Sequence, residues 1–323
     1  MPRADKSTID KSGGANLRPK SAALVPRLKK QWELQTMVIP GVAFMIIFAY
    51  MPMYGLVIAF QNFTMLSPLG SASWVGLRNF EIIVGDSFFW DAARNTLAIS
   101  LLKLAIGFVA PIILAVQIFE MKIMSLKKFI QTVSYLPYFL SWVVLGGMMI
   151  SWLSTNGLLN NVLDAFGLAG GRQNWLLSQG NYWWIATLSD VWKNAGWNSI
   201  LYLAVLSQVD PTYYEAAKLD GASRLATIRY ITLPSMRYII SFTFILSVSG
   251  ILGSNLDQTL VLQNVVNQPR SEVINSYVFR MGIAQGNFSY ATAVGLGISV
   301  ISLVLLVVAH KVTKKLNDGE SVL

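Results

Sequence analysis

Met37–Phe60, MVIPGVAFMIIFAYMPMYGLVIAF, runs for 24 residues without a charge. As a helix it extends about 36 Å, enough to cross a hydrocarbon core of about 30 Å. It is too long for a strand and lacks the alternation of a barrel strand. Backbone groups in lipid must bond internally, so the run is read as a spanning helix. Five more stretches follow: Thr96–Phe119, interrupted by Lys103; Phe129–Leu153; Tyr182–Leu206, carrying Asp190 and Lys193; Met236–Leu252, with Arg237 at its start; and Ser289–Ala309. Pro111 and Pro137 lie inside spans, where neighbouring helices accommodate a kink. The expected fold is an all-α integral membrane protein with six transmembrane helices.

Composition agrees. The chain has 323 residues, 54% hydrophobic and 13% charged, with a mean hydropathy of +0.51. A soluble domain carries about 25% charged residues. Cysteine is absent and His310 is the single histidine, so thiolate nucleophiles, Cys-based zinc sites and an imidazole-centred triad are excluded or disfavoured. No catalytic residue and no metal site are expected. The net charge of +9 is read as membrane orientation, not nucleic-acid binding. Eighteen of the 25 Lys and Arg fall before the first span, in the second and fourth connecting loops and in the tail, against five on the other side. That split places both termini in the cytoplasm.

Residues 1–36 form a basic tail, polar enough to be disordered or to lie on the membrane surface, with Val25–Leu34 a candidate interfacial helix. They do not read as a cleavable signal peptide, because the apolar run is too long and no small-residue site follows it. The first span and its external loop occupy 37–94, a five-span core 95–309, and a basic cytoplasmic tail 310–323.

Within the core, the loop 210–236 reads DPTYYEAAKLDGASRLATIRYITLPSM. Asp210 is a candidate N-cap and Pro211 a candidate N1 residue. Gly221 permits a sharp turn, Ala222–Ile231 suits a second short helix, and Pro234 opens the next span. Bottom-up this is a helix–turn–helix on the cytoplasmic face, and the bland alternative is a surface loop.

Glu215-Ala216-Ala217, Gly221, Ile231 and Leu233-Pro234, at those spacings, resemble the EAA signature of ABC importer permeases, and Asp220 and Ala222 fit its carbohydrate-importer form. Asn95-Thr96-Leu97, Asp190-Val191-Trp192-Lys193 and Tyr202-Leu203-Ala204 extend the likeness from about Asn95 to the C-terminus. The overall pattern is similar to permeases of lipoprotein or polysaccharide importers, the first permease subunit of an alginate importer among them. The resemblance implies the type I importer architecture in a bacterial inner membrane. It implies a second permease, a paralogue, two ATP-binding subunits and an extracytoplasmic solute-binding protein, with a carbohydrate as cargo. The chain has no G-x-x-x-x-G-K-[ST] sequence, so ATP and Mg²⁺ are expected on the partner subunits. The segment Gly221–Tyr230 would be the coupling helix, with Arg224 and Arg229 as charged handles and Leu225 and Ile228 as apolar contacts. Import would follow an alternating-access cycle.

Polar groups inside spans are costly, so they face a cavity or a partner. Asn194, Trp197 and Asn198 share one face of the fourth span at i, i+3, i+4. An aromatic ring beside amides suits a sugar: the ring stacks on C–H faces and the amides bond hydroxyls. The resemblance also places solute contacts near Asn255, Asp257 and Gln258, and Tyr135, Tyr138 and Trp142 of the third span are further candidates. Plainer roles stand beside these. Trp183 and Trp184 suit the interfacial aromatic belt, Asp190 and Lys193 a mutual neutralisation at i, i+3, and Asn194, Trp197 and Asn198 interhelical packing. Asp257 suits an external loop, and Lys103 suits snorkelling or a neighbouring subunit. An ion-driven secondary carrier, or a permease for a non-sugar solute, is the alternative function. The carrier is disfavoured because Asp190 and Asp257 have no counterparts in a second half.

Overall fold

The computed structural model describes residues 32–64, 72–168, 170–253 and 256–316. The tail 1–31, with most of the expected interfacial segment, and the last residues of the basic tail lie outside the described residues. The chain forms two compact units, Met1–Leu56 and Val57–Leu323.

In the first unit, helix α1 (Trp32–Met45) passes into a π-helical turn (Ile46–Tyr50) and then a 3₁₀ run that begins at Met51 and whose last residues, to Phe60, belong to the second unit. Pro52 lacks an amide hydrogen and its ring crowds the carbonyl four residues back, so regular α geometry gives way there. The side chains from Met37 to Tyr54 are largely exposed, as suits a helix bathed in lipid.

The second unit opens with a two-residue strand pair, Gln61–Asn62 against Ser73–Trp74. Helices α2 (Arg78–Gly85) and α3 (Ser87–Leu102) follow. The second span thus begins at Ser87, earlier than the expected Thr96, because Asp86 caps it by accepting from the Phe88 amide at 2.9 Å. The Asp86 carboxylate also takes the hydroxyls of Tyr277 and Tyr290. Burial works to raise its pKa, but those hydroxyls and the Phe88 and Phe89 amides hold it below the usual carboxylate value. After a π-helical turn at Lys103–Gly107, α4 (Phe108–Glu120) completes the span.

The third span departs from the expected continuous Phe129–Leu153. Helix α5 (Met124–Tyr135) runs into a 3₁₀ turn (Leu136–Phe139), and α6 (Trp142–Trp152) leaves at 102° to it. Leu140 is extended, and Ser141 starts α6 by accepting from the Val144 amide at 3.3 Å. A short α7 (Leu158–Ala165) precedes α8 (Tyr182–Leu206), which has the bounds read from sequence. The loop then holds α9 (Pro211–Leu219) and α10 (Arg224–Thr227). The helical segment 224–235 meets α11 (Arg237–Ser249) at 65°. The fifth span therefore ends before the expected Leu252. Short helices α12 (Leu256–Leu262) and α13 (Ile274–Phe279) lead to α14 (Phe288–Leu316).

Among the described residues three helices are long and apolar enough to cross a membrane, Gln35–Phe60, Ser87–Glu120 and Phe288–Lys315, or five if each bent pair is one span, against the six expected from sequence. In the second unit α4 and α8 pack around Ala115, Ile118, Tyr202 and Leu206, with Met236 closing the cluster. α5 approaches α8 most closely at Gly196. A Cβ built there falls 1.9 Å from the Ser134 carbonyl oxygen, so only glycine admits the contact.

Candidate functional site: a capped loop and a polar path

The loop is shaped by its own sequence. Asp210 caps α9, its carboxylate accepting from the Thr212 amide at 2.9 Å. That bond, with the Thr212 hydroxyl, lowers the Asp210 pKa. At the other end the Gly221 amide donates to Lys218 O at 3.2 Å and the Ala222 amide to Ala217 O at 2.9 Å. This pair of bonds is a Schellman motif, which requires a left-handed residue after the cap. Gly221 supplies it with φ +72°. Asp220 is the C-cap, and Glu215 and Ala216 lie exposed on α9 while Ala217 is half-buried. Ser223 then caps α10 by accepting from the Ala226 amide at 3.3 Å.

The expected second helix is shorter than Ala222–Ile231. α10 covers four residues and continues as a π-helical turn, Ile228–Thr232. Arg224, Arg229 and Leu225 point outward; Ile228 instead packs against the Ala115–Met236 cluster. Ala222 is exposed, and Leu219, Leu225 and Tyr230 are 90%, 75% and 72% exposed.

Asn194, Trp197 and Asn198, expected on a solute path, share one face of α8. Asn194 and Asn198 line a cavity of about 220 Å³ with Ser100, Lys103, Asp190 and Ser247. Asn198 also lines a neighbouring cavity of about 530 Å³, with Trp197, Phe108, Leu201 and Thr243. Trp197 is stacked on Tyr138, their centroids 4.4 Å apart and planes within 2°. One Trp197 face is therefore taken by Tyr138, which acts as its backing. Asp257, expected on the path, sits exposed in the first turn of α12 and lines neither cavity. Asn255 lies outside the described residues.

Two pairings differ from the sequence expectations. Asp190 meets Lys103 at 3.4 Å across the α3–α8 contact, and Lys103 Nζ donates to Gln258 Oε1 at 2.7 Å. Lys103 thus bonds within its own chain. Gln258 is in turn fixed by donating to Ala186 O and Ser189 Oγ, at 2.7 and 2.8 Å. Lys193 Nζ reaches the break in the third span, donating to the carbonyls of Pro137, Tyr138 and Leu140. The isolated charge in the second span was the sequence signal for Lys103; its partners were not signalled. Trp183 is pinned by donating to Arg270 O at 3.0 Å, while Trp184 is exposed.

Comparison with known proteins places this geometry. Residues 107–318 match the family model of the binding-protein-dependent transport system inner membrane component. A polygalacturonan/rhamnogalacturonan transport system permease protein of Bacillus subtilis (strain 168), YteP, is 36% identical over 93% of this chain and 94% of its own length. A bacterial ABC transporter involved in the import of the acidic polysaccharide alginate holds a chain that superposes with a TM-score of 0.82 at 33% identity, covering 90% of this chain and 98% of that one. The alginate transporter in complex with an alginate pentasaccharide-bound periplasmic protein gives a TM-score of 0.83 at 31% identity, over 92% and 99%. The chain belongs to the family of binding-protein-dependent transport system inner membrane components, as a permease subunit of an ABC importer.

Proposed function

We propose that this permease imports an oligosaccharide or polysaccharide across a bacterial inner membrane. In this reading six spans, with the fourth formed by α8, put both termini and the 210–236 loop in the cytoplasm. The tail 1–36, the first span with its external loop to residue 94, the core 95–309 and the tail 310–323 then have the roles expected from sequence. The loop seats on one of two ATPase subunits, which bind ATP and Mg²⁺. A paralogous permease completes the path, and an extracytoplasmic binding protein delivers the solute. A motor-driven cycle follows, in which closure of the ATPase pair tips the spans between two access states.

The observation that carries the coupling is the loop itself. Leu219, Leu225 and Tyr230 are strongly exposed beside Arg224 and Arg229, on a turn locked by the Schellman bonds. An apolar patch rimmed by cations and held rigid is a docking surface in need of a partner. The carbohydrate cargo is supported by the Trp197 ring and the Asn194 and Asn198 amides at adjoining cavities and by the names of the relatives.

The test is reconstitution in proteoliposomes with ATPase subunits and a binding protein, followed by uptake of neutral and uronic-acid oligosaccharides. ATP-dependent uptake of a sugar is expected. Uptake driven by an ion gradient without ATP, or thiol labelling of a single-cysteine variant at Leu225 from the outer side, would overturn the reading.

A further inference from the structure

Lys193 is a cation buried at mid-span, and its surroundings are unusually complete. A lysine ammonium has three donors. Here three carbonyl oxygens accept them: Tyr138 at 2.8 Å, Pro137 at 3.3 Å, and Leu140. These oxygens belong to the end of the first half of the broken third span, where the helical ladder stops; Pro137 O also takes the Leu140 amide at 3.2 Å. The same ammonium lies 5.6 Å from the Tyr138 ring centroid and 5.7 Å from that of Trp142, the first residue of the second half. Lys193 therefore touches both sides of the 102° break. Gly196, one turn on, admits the Ser134 backbone, and Trp197 stacks on Tyr138. Residues 193, 196 and 197 form one helical face. That face clamps the broken span, and its ammonium holds the backbone from which the Tyr138 ring projects.

We propose that Lys193 is a positioning residue: by capping the broken end of the third span it sets the plane of Tyr138 behind Trp197, and solute affinity depends on it through that ring pair. The affinity part rests on the carbohydrate-path reading above; the ring-pair part does not.

The experiment uses the assembled importer with 5-fluorotryptophan at its tryptophans, the Trp197 ¹⁹F resonance being assigned by its loss in Trp197→Phe. A stacked ring shifts that resonance, so Tyr138→Leu moves it. Lys193→Met is expected to move or broaden it as much, and Lys193→Arg, which keeps donors for the carbonyls, to leave it near the wild-type position. In proteoliposomes with trigalacturonate as probe, Lys193→Met is expected to raise the half-saturating concentration about tenfold, the scale of a lost aromatic contact. Tyr138→Leu should do the same, and the double variant no more than either alone. An unmoved Trp197 resonance in Lys193→Met overturns the proposal, as do effects that multiply in the double variant. If Lys193→Met does not assemble, Lys193→Arg decides by its resonance, a displaced signal counting against the proposal. Absence of any sugar uptake by the wild type sinks the path reading and leaves the resonance test standing.

Discussion

The loop around Gly221 and the seam around Lys103 and Lys193 are both polar constructions in an apolar protein, and they are held by opposite means. In the loop, Asp210 reaches two residues along the chain, Ser223 three, and the Ala222 amide returns to Ala217. In the seam, Lys103 reaches Gln258 across 155 residues, Gln258 reaches Ala186 across 72, and Lys193 reaches the third span across 53 to 56. The loop carries its shape with it wherever it moves; the seam exists only when the bundle is assembled. A change in the seam should thus cost the fold, and a change in the loop should cost what the loop does.

The largest expected effect is Gly196→Val. Its Cβ would sit 1.9 Å from Ser134 O and 2.3 Å from the Ser134 carbonyl carbon, where only movement of a backbone relieves it. A cost above about 4 kcal/mol is expected, enough to keep the chain from accumulating in the membrane fraction. Wild-type accumulation of Gly196→Val would break the comparison at its strongest point. Next is Asp190→Leu, which strands Lys103 with only Gln258 as acceptor. Both side chains are under one-fifth exposed, so a loss of about 3 kcal/mol is expected, read as the thermal midpoint in detergent. Lys103→Met added to it should restore most of the midpoint. Additive losses would show that the two do not act as a pair.

These two cases also mark how far sequence carries. α8 was legible to the residue, because Tyr182–Leu206 is one long apolar run whose polar residues Asn194 and Asn198 fall at helical spacing. The first helix and turn of the loop were legible because Asp210, Pro211 and Gly221 each signal a local backbone state, whereas the Ser223 cap that starts α10 after the expected Ala222 was not read. The break at Leu140 was not: Pro137 marks a kink, but neither its 102° nor the lysine 53 residues away that meets it is written in local sequence. For the same reason the i, i+3 spacing of Asp190 and Lys193 marked them as neighbours but gave no sign of the partners each takes across the bundle, Lys103 and the third-span carbonyls. Asp257 was placed near the path by the resemblance, with an external loop as the plainer role; it stands exposed in a separate short helix after α11 ends at Ser249.

Gly221→Pro tests the loop side. Proline is held near φ −65°, against +72° here, so the Schellman turn cannot form. The cost is that of losing the two Schellman bonds, about 1–3 kcal/mol, borne within an exposed turn. The chain should accumulate and melt near the wild-type temperature while ATP-driven uptake falls more than tenfold. Normal uptake would detach the loop from coupling; a collapsed melting temperature would show that its shape is not local after all.

The smallest effect compares one substitution in both regions. Ser223→Ala removes a cap from α10, and Ser189→Ala removes the hydroxyl that accepts from Gln258 and donates to Ile185 O at 2.6 Å. Each loss is about 1 kcal/mol by chemistry. Ser223 is exposed, so water replaces the bond, and the change should appear as faster amide exchange at Ala226 and Thr227 with an unmoved melting temperature. Ser189 is 5% exposed, so one hydrogen of the Gln258 amide is left without an acceptor in a dry seam that also orients Lys103. There the melting temperature should drop. Equal shifts in melting temperature from the two variants would mean that loop and seam belong to one cooperative unit, and that the loop's stability is borrowed from the bundle.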